Sequence, residues 1–193
     1  MTTRDQTLIT AVSGLPRSGT SLMMSMLEAG GLPPLTDDIR QADEDNPKGY
    51  YEYEHVKKLK EDTAWLADAR GKSVKIISAL LMQLPAAYTY KIVFMRRDMR
   101  EILASQRHML VRRGESGDPI GDEEMSALFN RHLLQVERWL AQQPNISCLY
   151  VDYNQLVLSP PEPIRSINRF MGGWLDEVAM ARVVDPKLYR QKN

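Results

Sequence analysis

Apolar residues along this chain follow two alternating rhythms, one short and continuous, the other spaced at helical intervals. Residues 8–12 form a short run rich in β-branched side chains that stops at Ser13-Gly14, the pattern of a buried strand. Directly afterwards, residues 19–29 carry apolar side chains at 22, 23, 26 and 27, which share one helical face. Gly30-Gly31 and Pro33-Pro34 end that helix. Residues 35–50 are polar and broken by Asn46-Pro47 and Gly49, so they read as a long loop, a feature more often functional than idle. A helix is predicted over about 53–69, with Val56, Leu59, Thr63 and Leu66 on one side and Gly71 as its stop. Residues 74–77 predict a second strand, 80–84 a short helical piece ahead of Pro85, and 91–95 a third strand. Ile102, Leu103, Gln106, Met109 and Leu110 repeat at helical spacing over about 99–112, with Asp98 as cap. After a loop over 114–121, Asp122 is expected to cap a helix running to about Gln142. A fourth strand (146–151), a helix over 161–171 opened by Pro161, and a short helix near 174–184 finish the pattern. Strands alternating with helices imply an α/β domain over 1–193, its parallel sheet covered on both faces. Ligands of such sheets sit beyond the carboxyl ends of the strands.

Composition narrows the function. The 193 residues hold 25 Lys plus Arg and 25 Asp plus Glu, so a generally basic nucleic-acid binder is excluded. The balance holds only over the whole chain, however. Residues 36–54 hold seven acids against two bases, and residues 91–113 hold seven bases against two acids. Such segregation marks either two walls of one site or two solvated faces. The single cysteine, Cys148, excludes an internal disulfide and lies in an apolar run, where a buried inert thiol is expected. No apolar stretch approaches the roughly 18 residues of a membrane span, and the first residues lack the order of a secretory signal. A cytoplasmic setting is the resulting expectation.

The chemistry begins at Gly14-Leu15-Pro16-Arg17-Ser18-Gly19-Thr20-Ser21, between the first strand and the first helix. The stretch keeps the G-x-x-x-x-G spacing of a phosphate-binding loop, in which backbone N–H groups and the helix start face an anion. The position after the second glycine, lysine in nucleotide-hydrolysing loops, is Thr20, and a cation stands inside the loop instead as Arg17. That counts against a kinase or NTPase, which remains an alternative. A plain glycine turn capped by Ser or Thr is the blander reading. Lys75 is a charge inside a predicted strand, where charges are rare; it reaches a ligand at the sheet edge, sits on an edge strand or caps a neighbouring carbonyl.

This loop resembles the 5′-phosphosulfate loop of the sulfotransferases that use 3′-phosphoadenosine 5′-phosphosulfate (PAPS). Two further stretches agree. KIVFMRRDMREILASQ is similar to the family's strand ending in Arg with a Ser eight residues later, here Arg97 and Ser105. LYVDYNQLVLSPPEPIRSINRFMG is similar to its Tyr-Glu-Asp-Leu, proline and Phe-Leu-Gly sequence, with Asn154 in place of the glutamate and, earlier, Met99 in place of a proline. The resemblance implies a three-layer P-loop NTPase-like fold with a mostly parallel central sheet. It implies sulfuryl transfer from PAPS to a hydroxyl or amine, with 3′-phosphoadenosine 5′-phosphate (PAP) as product and no metal. Pro16, Arg17, Ser18, Gly19, Thr20 and Ser21 would hold the 5′ end, with Arg17 also serving the transfer. Arg97 and Ser105 would hold the 3′-phosphate, and Arg190 or Lys192 would close over it.

Asn46-Pro47-Lys48-Gly49-Tyr50-Tyr51-Glu52 is similar to a stretch of bacterial and carbohydrate sulfotransferases, which makes Glu52 the candidate base and His55 its rival. Lys75 and Lys48 are candidates to reach the sulfuryl group, and Tyr50 and Tyr51 to line the acceptor pocket. The acceptor is a small molecule, a carbohydrate or a lipid, and the acidic 36–54 stretch favours a neutral or cationic one. Arg96, pointing away from Arg97 on a strand, is expected to be structural or exposed. His108 is expected to be solvated and His132 to be a satisfied core-edge residue. A non-catalytic PAP-binding relative is the remaining alternative.

Overall fold

The computed structural model describes residues 5–37, 39, 49–112, 114 and 120–185. Four strands form one parallel sheet: β1 (Ile9–Gly14), β2 (Ser73–Lys75), β3 (Tyr90–Arg96) and β4 (Ile146–Asp152), in the order β2-β1-β3-β4. Among the described residues, six α-helices accompany them: α1 (Thr20–Ala29), α2 (Met99–Arg112), α3 (Asp122–Leu140), α4 (Tyr153–Leu158), α5 (Pro161–Met171) and α6 (Glu177–Val183).

The two-residue period of the strands sorts the core onto two faces. Val12, Val93, Met95 and Val151 point to one side, against Met23, Met24 and Leu27 of α1, Leu156 of α4, Ile164 and Ile167 of α5 and Met180 of α6. Ile9, Ala11, Val74, Ile92 and Phe94 point to the other, against Val136 and Leu140 of α3 and the turns that carry Leu59, Leu66 and Leu81. Each such fully buried side chain contributes about 1.5–3 kcal/mol, so the β1 and β3 runs, buried on both faces, anchor the molecule. This is the α/β architecture with a parallel central sheet that the sequence pattern implies.

Several elements differ from expectation, each for a local reason. The helix predicted over 53–69 is two short 3₁₀ turns, Glu54–Lys58 and Ala64–Ala67. Asp62 breaks it: its Oδ1 accepts the Ala64 N–H at 2.9 Å, and its carbonyl accepts the Trp65 indole N–H at 3.1 Å. Asp122 does not cap α3; Gly121 holds the cap position without a side-chain bond, and Asp122, Glu123 and Glu124 form an acidic first turn, which suits the helix dipole. The second strand is shorter and one residue earlier than predicted, and a 3₁₀ turn, Ser78–Gln83, follows it. Helix α4 is an addition, started by Asp152 Oδ1 accepting the Gln155 N–H at 2.7 Å.

The topology then fixes where a ligand can sit. The chain leaves β1 toward β2 on one side, and β3 lies on the other, so the order reverses beyond the carboxyl ends of β1 and β3. Helix-covered parallel sheets bind their ligands at such a point. Gly14 pairs with Met95 there, so the loop after β1 and Arg97 after β3 emerge side by side.

Candidate active site

The loop after β1 takes an unusual backbone path that its residues tolerate. Gly19 has φ +97°, and a Cβ there would stand 2.3 Å from Tyr153 Cδ2. Gly14 is equally confined, since a Cβ would lie 2.7 Å from the Met95 carbonyl oxygen. Arg17 takes φ +69°, rare for a residue with a side chain. The Ser18 hydroxyl turns inward and donates to the Leu15 carbonyl at 2.7 Å, shaping the loop from within. Gly19→Ala is expected to cost about 3 kcal/mol through left-handed strain and overpacking. Thermal unfolding should register that as a Tm roughly 6–12 °C lower.

Around this loop lie two clusters. The first joins the carboxyl ends of β1, β3 and β4. Arg17 Nε donates to Ser105 Oγ at 2.9 Å across 88 residues. Arg97 Nη1 donates to the Arg17 carbonyl at 3.0 Å, and Arg97 Nε donates to Glu101 Oε2 at 2.8 Å. The Arg97 guanidinium also lies 4.4 Å from the centre of the Tyr153 ring, a favourable cation–π contact. Asn154 Nδ2 donates to Glu101 Oε1 at 2.8 Å. Burial raises the pKa of the Tyr153 phenol above its ordinary value, keeping the ring neutral beneath the cation.

The second cluster lies at the carboxyl end of β2. Because β2 is an edge strand, Lys75 at its tip escapes a fully apolar environment. Lys75 Nζ donates to the Tyr50 carbonyl and lies 3.4 Å from Ser21 Oγ and 3.9 Å from Glu52 Oε1. Ser21 Oγ in turn donates to the Tyr50 carbonyl at 3.4 Å. Glu52 is fixed through its carbonyl, which accepts from Thr36 Oγ1 at 3.0 Å and from the Asp37 N–H at 3.3 Å. The Tyr51 hydroxyl donates to Glu28 on α1 at 2.5 Å. Ser21, in the first turn of α1, links this cluster to the phosphate-type loop.

His55 is not drawn into that cluster. Its ring is largely exposed, 4.0 Å from Asp62 and 5.1 Å from the Tyr53 ring centre. His132 shares a 2.9 Å hydrogen bond with Ser78 Oγ, burial lowers its pKa, and His108 is exposed. Arg96 pairs with Glu137 at 2.6 Å over the Tyr150 ring, as a structural arginine should. Cys148 is partly buried, and that burial pushes its thiol up to about 11, so it stays protonated near neutrality. Lys48, Arg113, Arg190 and Lys192, and most of the acidic stretch, lie outside the described residues. Sequence reasoning passed over Glu101 and Tyr153. The four-residue spacing of Arg97 and Glu101 at a helix start was the available signal for the first.

Residues 35–177 match the model of the family described as "Sulfotransferase family". The chain belongs to the sulfotransferase family. Among solved structures, it is similar to the sulfotransferase domain of the Synechococcus PCC 7002 olefin synthase, at 17% identity and a TM-score of 0.53, covering 98% of this chain and 85% of that one. It is also similar to mouse sulfotransferase SULT7A1 complexed with PAP, at 16% identity and a TM-score of 0.51. A third likeness is to retinol dehydratase in a complex with retinol and PAP, at 17% identity and a TM-score of 0.52. Each of these two covers 95% of this sulfotransferase, which spans 64% and 65% of their respective lengths. At such identities the likeness speaks for the fold. No curated protein sequence matches the chain. Among the described residues, no helix of this sulfotransferase is long and apolar enough to cross a membrane.

Proposed function

We propose that this protein transfers the sulfuryl group of PAPS to a hydroxyl or amine of a small acceptor, releasing PAP. The observation that carries this reading is the convergence of three groups at one sheet edge: the loop over 14–21, the Arg97–Ser105 pair, and Lys75 with Glu52. A dianionic 3′-phosphate needs a guanidinium and a hydroxyl, and Arg97 and Ser105 supply both. The 5′ end needs backbone N–H groups turned toward it, and the positive φ of Arg17 and Gly19 turns the loop's backbone just ahead of α1.

PAPS supplies an activated sulfur whose bond to the 5′-phosphate oxygen breaks as the acceptor atom bonds to it. Glu52 accepts the acceptor's proton, completing the balance. Lys75, held beside Ser21 and Glu52, stabilises the negative charge that shifts onto the sulfuryl oxygens and the departing phosphate. Arg17 supplies a second cation from the loop, steadied by Ser105. A kinase reading is weaker because Thr20 occupies the position of the phosphoryl-reaching lysine.

The test is binding. PAP is expected to raise Tm, because a ligand that binds the folded state alone stabilises it in proportion to its saturation. Arg97→Ala should weaken PAP about 10- to 100-fold, a loss of a charged hydrogen-bonding partner. It should weaken AMP, which lacks the 3′-phosphate, far less. No response to millimolar PAP, or equal losses for both nucleotides, would sink the assignment.

A further inference from the structure

We propose that Glu101 is a positioning residue for the donor's 3′-phosphate, acting through Arg97 and itself held by Asn154. The inference rests on the donor reading above and goes beyond it by assigning the shell that orients the phosphate-binding cation.

Glu101 is a carboxylate with 2% of its side chain exposed, at the first turn of α2. A buried carboxylate is costly unless both partners and geometry are good, and apolar replacements are often no less stable. Stability alone therefore gives a weak reason for an ion pair at this place. Its geometry gives a better one. Oε2 takes the Arg97 Nε–H at 2.8 Å and Oε1 takes an Asn154 amide hydrogen at 2.8 Å. The same guanidinium is fixed from a second side by the Arg17 carbonyl at 3.0 Å and from a third by the Tyr153 ring. Three constraints on one planar group set both its place and its plane. A guanidinium binds phosphate by two parallel bonds only when that plane is right.

The three constraints also come from three strand ends. Arg17 follows β1, Glu101 is carried by the helix after β3, and Tyr153 and Asn154 follow β4. Glu101 and Asn154 thereby tie the orientation of Arg97 to the seating of the loop and to the packing of α4. Asn154 supplies a donor without adding charge.

Isothermal titration of PAP and of AMP into the purified chain tests this. Wild type is expected to prefer PAP over AMP, and Glu101→Gln to weaken PAP about 10-fold while changing AMP less than 2-fold. The amide keeps the volume but places an NH2 where one of the two acceptor oxygens stood, opposite a donor. Asn154→Ala, which removes only the outer donor, is expected to weaken PAP about 3-fold with AMP unchanged, and it carries the test if Glu101→Gln does not fold. Undiminished preference for PAP in the folded variants overturns the proposal, as do equal losses for PAP and AMP, which mark a purely structural pair. Failure of wild type itself to prefer PAP is a different result: it overturns the donor reading, and this inference with it.

Discussion

Glu52→Gln is expected to lower the turnover number for sulfuryl transfer about 100- to 10,000-fold, the usual range for losing a general base. PAP affinity should stay within about 2-fold, since Glu52 belongs to the cluster at β2 and not to the one that gathers Arg97 and Ser105 around Arg17. Glutamine preserves the length of the side chain and an acceptor oxygen, but it takes no proton at neutral pH. The backbone anchors of residue 52, to Thr36 and Asp37, do not involve its side chain, so the loop should hold its shape. The measurement is transfer from PAPS to a panel of phenols, sugars and amines, read on whichever acceptor wild type turns over fastest. An unchanged turnover number would remove Glu52 from its role and return attention to His55. Wild-type binding of PAP with no transfer to any acceptor would favour a non-catalytic relative.

The strand–loop–helix unit at the start of the chain was legible because its signals are local: a β-branched run, two glycines at fixed spacing, then a helical face. Helix α2 was legible for the same reason, since its apolar positions repeat at helical spacing along one continuous stretch. The stretch 53–69 was misread because apolar residues spaced by three or four serve 3₁₀ turns as well as a helix. Val56, Leu59 and Leu66 do reach the core, but Asp62 bends the chain between them. The site was legible only as separate pieces. Nothing in the sequence says that Glu52 and Lys75, 23 residues apart, meet; that follows from β2 pairing at the edge of β1 and from Lys75 donating to the Tyr50 carbonyl. Tyr153 was missed because its partner Arg97 comes from another strand end, where spacing along the chain carries no information; Glu101 was missed although its four-residue spacing from Arg97 offered a local signal.

Lys75→Met should slow transfer about 100- to 1,000-fold, the scale for removing one preorganised charge from a transition state. Methionine is close to lysine in length and Lys75 is only 10% exposed, so packing is nearly conserved. The lysine also donates to the Tyr50 carbonyl, and its loss strips that oxygen of a partner. This structural effect is about 1–3 kcal/mol, seen as a lower Tm. Turnover and stability must therefore be separated. Lys75→Arg keeps a cation and a donor, so it should restore most of the Tm and part of the turnover. If Lys75→Met loses stability but transfers at the wild-type rate, the residue is only an anchor for the loop at Tyr50. A cycle with Glu52→Gln completes the case. The 3.9 Å contact between the two charges predicts strong non-additivity, with the double variant scarcely slower than the slower single one. Fully additive losses would mean that the base and the cation act on the reaction independently, despite standing side by side.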